Sequence, residues 1–147
     1  FFDTKRQPLH ISLDAVSVEV VAALKKVALN EQVATFMSEA TLQSKAFQNL
    51  WNSRPDLRGR VFAINNNSAN GIKGAMNKAM GVVAGVADMC YLKPEGQTVW
   101  IEWKTETGRQ SPEQIKFQEL CLSLGHEYHI VRSEQEFLAV ILHNQII

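Results

Sequence analysis

Cysteine, net charge and long apolar runs are all scarce in this sequence, and each scarcity closes off a class of protein. Cys90 and Cys121 lie far apart, in apolar surroundings and without metal-ligand spacing. That excludes a disulfide scaffold or a zinc module and predicts buried free thiols in a reducing compartment. The 15 Lys and Arg are balanced by 15 Asp and Glu, so the net charge is zero. Nucleic acid is therefore not drawn in by global charge, only by a local basic face. No stretch approaches the ~20 apolar residues of a membrane span. Glycine-rich phosphate loops, repeats and low-complexity tracts are absent too. His126 and His129 fall on opposite faces of a strand, which argues against joint metal ligation, and His10 and His143 have no partner in sequence. What is present is 46% hydrophobic residues in a chain of 147, enough for one packed domain.

The stretch 85–104 organises the rest. Val86 to Leu92 is apolar apart from Asp88, Lys93-Pro94-Glu95-Gly96-Gln97 is turn chemistry, and Val99 to Lys104 is rich in β-branched and aromatic residues. This predicts two short paired strands. Alternation places Trp100, Glu102 and Lys104 on one side and Val99, Ile101 and Trp103 on the other. In any hairpin register that keeps the faces matched, Asp88 joins the first set, opposite either Glu102 or Lys104. Acids and an ammonium converging on oily strands are costly unless they bind something, and a metal ion fits that description.

Asp88, then Glu102-Trp103-Lys104, then Gly108-Arg109-Gln110-Ser111-Pro112-Glu113-Gln114 resembles the VRR-NUC family of the PD-(D/E)XK nuclease superfamily. Further pieces fall in the same order from about Ser38 to the C-terminus. They are Glu39-Ala40-Thr41-Leu42-Gln43 on a helix, Phe62-Ala63-Ile64 before an Asn-rich loop, and Gly81 and Gly85 before the Asp. Ala87 stands where the superfamily name has proline, a position that shapes the strand without ligating. Asn65-Asn66-Asn67-Ser68 replaces the Pro-Asn-Gly-Gly common in similar proteins and retains only the central Asn66.

The resemblance implies an α/β, restriction-endonuclease-like core, a mixed sheet flanked by helices. Residues 38–147 would form it, and 1–37 an N-terminal arm and helical extension. It implies a Mg²⁺ or Mn²⁺ site held by Asp88, Glu102 and the Trp103 carbonyl, with Glu39 contributing, through water if not directly. Lys104 and Gln114 complete the catalytic set. Asn66, Lys73, Lys78, Arg109 and Ser111 are the expected nucleic-acid contacts. The implied activity is endonucleolytic cleavage of DNA, branched or four-way DNA included, by a homodimer with no membrane association. An intracellular, bacterial or phage-like setting goes with it. Two other readings compete: a nucleic-acid-binding module that kept the fold without cleavage, and a metal-dependent hydrolase of small phosphate esters, which would need a deep pocket.

Several of these residues also have purely structural explanations. An acid in a first helical turn, such as Glu39, favours the helix dipole. Ser111-Pro112-x-Gln114 is a helix start in itself, with a cap, a proline at the first position and a capping-box partner. Lys104 either pairs with an acid or orients or deprotonates water. Elsewhere the pattern predicts an extended arm over 1–12 and an amphipathic helix over 14–30 with Val16, Val20, Ala23, Leu24 and Val27 inward. It predicts one or two helices over 33–52, the second capped by Ser38 and ended at Arg54-Pro55-Asp56, a strand over 60–64 and a broken helix over 71–81. Beyond the hairpin come a helix burying Phe117, Leu120, Cys121 and Leu124 and stopped by Gly125, a strand over 126–131, and a last helix opened by a Ser133–Glu136 capping box.

Overall fold

The computed structural model describes residues 37–65 and 71–143, together with Ala22 and Lys25, which are helical and exposed. The chain divides into two compact units, Phe1–Phe36 and Met37–Ile147. The expected arm, most of the first helix, Asn66 with its loop, and the terminal Ile146-Ile147 lie outside the described residues.

Helix α1 (Glu39–Ser53) starts where Ser38, in extended geometry, accepts the Thr41 N–H at 3.2 Å. It stops at Arg54, which the following proline pushes out of helical geometry. Strand β1 (Val61–Ala63) follows a short turn over Pro55–Leu57. Helix α2 (Gly71–Ala79) is continuous where the sequence predicted a break. Gly74 costs about 1 kcal/mol in a helix interior but does not interrupt the hydrogen bonding, and the last turn closes with Met80 N–H donating to Met76 O at 3.0 Å.

Strands β2 (Met89–Leu92) and β3 (Thr98–Trp103) pair antiparallel with Met89 opposite Ile101 and Cys90 opposite Trp100. The strand expected from Val86 begins only at Met89, because the chain arrives through Gly85 at φ +83°. The hairpin turn takes two successive left-handed residues, Glu95 and Gly96. Helix α3 (Pro112–Ser123) carries the chain over to β4 (Glu127–Val131), which lies parallel to β3, and α4 (Glu134–His143) closes the fold. The sheet order is β1-β2-β3-β4. A mixed four-stranded sheet flanked by helices is the α/β architecture expected of residues 38–147.

The two faces of the sheet differ. Val61, Met89, Tyr91, Val99, Ile101, Trp103 and Val131 pack against Ala46 and Leu50 of α1 and Phe137 and Ile141 of α4. Each such side chain contributes roughly 1.5–3 kcal/mol by leaving water. Under α3 the hydrophobic cluster is small: Ala87, Cys121 and Tyr128 are buried, with Trp100 and Phe117 beside them. Phe117 and Cys121 point inward as expected. Leu120 and Leu124 do not; they are 53% and 66% exposed. Helix α3 covers too little of the sheet to hide a second stripe. Both cysteines are buried free thiols, as expected.

Candidate active site

Glu102, near the end of strand β3, and Lys104, one residue beyond its end, lie on the face beneath α3. The register that pairs Met89 with Ile101 sets Asp88, one residue earlier, across from Glu102. Asp88 Oδ2 accepts the Trp103 main-chain N–H at 2.8 Å, which locks the head of β2 to the end of β3. Glu102 is 1% exposed and Lys104 6%. Lys104 Nζ lies 2.9 Å from Glu102 Oε1 and 3.7 Å from Glu39 Oε1. Glu39 reaches the site from the first turn of α1. Lys104 is fixed from behind, its N–H donating to Val131 O at 3.0 Å.

Gln114 joins the cap of α3 to this cluster. Its Oε1 accepts the Ser111 N–H at 2.8 Å, while its Nε2 donates to Glu102 Oε1 at 2.5 Å. Ser111 Oγ in turn accepts the Gln114 N–H at 3.2 Å. Capping box and site contact, two separate explanations of Gln114 at the sequence level, are one amide used at both ends. Its orientation is settled, because only the oxygen can meet an N–H and only the NH₂ can meet a carboxylate.

Burial dominates the electrostatics. Desolvation pushes Glu102 up from 4.5 to about 7; the Lys104 hydrogen bond opposes it, and the charges of Asp88 and Glu39 add to it. Asp88 is raised as well, by desolvation first, against the Trp103 N–H. Burial would lower the Lys104 pKa, but the hydrogen bond and charge of Glu102, with Glu39 and Asp88, outweigh it, and the ammonium is favoured. Tyr128 is raised by burial and by the nearby charge of Glu102.

The other expected residues are spread more widely. Ser111 is the α3 cap, next to the site through Gln114. Arg109 is exposed on the loop before that cap, and Lys78 is exposed near the end of α2; no hydrogen bond or ion pair links either to the acids. The side chain of Lys73 and all of Asn66 lie outside the described residues. His126 and His129 have separate partners, Thr98 Oγ1 and Glu127 Oε2.

Three further residues shape the site, two glycines already within the motif runs and one arginine outside them. Gly85 packs so closely on α3 that a Cβ would run into the Glu113 carbonyl and the Gln114 N–H. Gly108 leaves room for Glu39, whose Oε1 would stand 3.2 Å from a Cβ there. Arg132 directs Nη1 at the carbonyls of Thr105, Glu106 (3.2 Å) and Gly108 (3.0 Å), pinning the loop that leaves β3. Glu136 supports it by accepting the Arg132 N–H at 2.6 Å rather than that of Ser133, so the expected reciprocal capping box is only half formed. Glycine before the Asp was a visible signal. For Arg132 there was none, since its partners are 24 to 27 residues away.

Among the described residues, no three carboxylate, imidazole or thiol side chains stand close enough together to cage an ion. The Lys104 ammonium is within ion-pair distance of both Glu39 and Glu102 and is their shared counter-charge. Two carboxylates, Asp88 and Glu102, remain as the donor set. Glu102 Oε2 is buried without a hydrogen-bond partner. A buried carboxylate oxygen with no partner is costly, and a hard divalent ion satisfies it through few protein ligands. The residues therefore fit Mg²⁺ or Mn²⁺, and among the described residues no His or Cys is placed to favour zinc.

The fold and this site define an α/β protein with a carboxylate–lysine centre at the end of its central hairpin. A solved VRR_NUC domain protein shares the fold, with a TM-score of 0.60 and 20% sequence identity over 74% of this chain and 88% of that one. No family model and no curated protein matches the sequence.

Proposed function

We propose that this chain is a Mg²⁺- or Mn²⁺-dependent endonuclease that hydrolyses phosphodiester bonds in DNA, with branched or junction DNA preferred. The observation that carries the reading is Glu102: fully buried, oriented by Gln114 and Lys104 on one oxygen, and without a partner on the other. A core built only for stability would hold a hydrophobe at that position. The shared VRR_NUC fold supports the same reading.

Asp88 and Glu102 would hold the ion, with the Trp103 carbonyl and, through water, Glu39. When bound, the ion supplies positive charge at the phosphate and acidifies a water. Lys104, kept as the ammonium, orients that water and counters the charge that builds on phosphorus. Gln114 keeps the Glu102 carboxylate in one rotamer. Ser111 and the first turn of α3 present the positive end of the helix dipole to phosphate, with Arg109 on the adjoining loop. Lys73, Lys78 and Asn66 are proposed backbone contacts, and the active species is proposed to be a homodimer.

The test is cleavage of linear, flapped and four-way DNA with Mg²⁺, with Mn²⁺ and with chelator, alongside Asp88→Ala and Lys104→Ala. Metal-dependent cutting that both substitutions abolish is expected. Cutting that survives both would discard the site. Binding by the wild type with no cutting under any metal would establish a binding module instead.

A further inference from the structure

Glu39 and Asp88 also line an open depression of ≈ 590 Å³ bounded by α1 and the edge strand β1. Its wall follows α1 from Glu39 to Phe47, nine residues with a rise of ~12 Å. Phe62, Ala63 and Ile64 form the opposite wall. Phe62 is 38% exposed, although its neighbour Val61 is buried. Gln43 and Asn65 supply amides at the rim. Among the described residues lining it there is no Lys or Arg, and the two acids at one end repel anions.

This chemistry rejects phosphate along most of the depression and accepts a flat, uncharged group with hydrogen-bonding edges. Aromatic faces stack any nucleobase, and amides read base edges. The volume falls in the range of small-ligand sites, and the apolar walls run directly into the acids of the candidate centre. We infer that this depression is a subsite for an unpaired nucleobase next to the scissile phosphate, with Phe62 as its stacking platform. The inference rests on the phosphodiesterase reading for its place in catalysis, and on the depression alone for its ligand. A base held in a duplex stack cannot enter without being extruded. The subsite therefore selects nucleotides that are already unpaired, as at a flap or branch.

The test is fluorescence anisotropy in chelator, with the full chain and a dye-labelled single-stranded hexanucleotide, against the same sugar-phosphate strand lacking its bases. The wild type is expected to bind the intact strand on the order of tenfold more tightly than the abasic one. Phe62→Ala, on an edge strand and partly exposed, should remove that preference, and Phe62→Trp should restore it. Equal binding of both strands by the wild type, no binding of either, or a Phe62→Ala loss that falls equally on both would overturn the subsite. Cleavage with Mg²⁺ is read separately. If the anisotropy pattern holds and nothing is cut, the nuclease reading falls while the base subsite stands. If DNA is cut and the pattern is missing, the reverse is true.

Discussion

The two faces of the sheet solve different problems with the same strand. On one, Val99, Ile101 and Trp103 of β3 join α1 and α4 in a core almost wholly out of solvent. On the other, Trp100 is half-buried and Glu102 and Lys104 are buried, so two charged groups stand where hydrophobes would pack. Burying an acid and an ammonium gains little for the folded state. The oily face must therefore supply the stability that the polar face gives up, and alternation along β3 assigns one role to each side.

The sharpest test of this division is Trp103→Ala. It should cost about 3–5 kcal/mol in denaturant unfolding, because the indole fills the centre of the oily face. A loss under 1 kcal/mol would mean the core lies elsewhere. Next in size is Gly85→Ala, which adds a Cβ against the start of α3 at a left-handed position. About 2–4 kcal/mol of destabilisation is expected, together with loss of metal-dependent activity as Gln114 is pushed off Glu102. Normal melting and normal activity would show that the loop and helix need not touch.

The pH dependence of the metal-free protein measures the polar face directly. Glu102 moves from 4.5 to about 7 on folding, so between those values the folded chain binds the proton more tightly than the unfolded one. The associated stability is full below pH 4.5 and is lost as pH rises through 7, on the order of 1–3 kcal/mol. Denaturant midpoints in chelator across that window should fall in the wild type and fall less in Glu102→Gln. Parallel profiles would remove Glu102 as the source.

Gln114→Ala should separate activity from stability, lowering kcat/KM by roughly 10–100-fold while costing about 1 kcal/mol or less in a melt. A kinetic loss no larger than the stability loss would reduce Gln114 to its cap. Smallest of all, Leu120→Ser on the exposed side of α3 should stay within about ±0.5 kcal/mol in the same melt. A larger cost would restore Leu120 to the interior.

What the sequence could reveal was local. The Ser38 and Ser111 caps, the proline that ends α1 and the alternation of β3 depend on residues a few positions apart, and each is found where its spacing places it. The face shared by Asp88 and Glu102 was readable because alternation and a tight turn leave few registers. Interactions that depend on the assembled fold were not readable. The leucines of α3 follow the same period as buried ones, and only the width of the covered sheet distinguishes them. The helix over 71–81 reads as broken until it is seen to run on through Gly74. The ammonium placed between Glu39 and Glu102 depends on where α1 docks, which no spacing encodes.

The grip of Arg132 on the Thr105–Gly108 carbonyls has a consequence in time. During synthesis the hairpin bearing Asp88, Glu102 and Lys104 emerges well before β4. Until Val131 and Arg132 follow, Lys104 lacks its main-chain brace and the adjoining loop lacks its latch. The unfinished polypeptide carries the side chains of the candidate centre but not yet their arrangement.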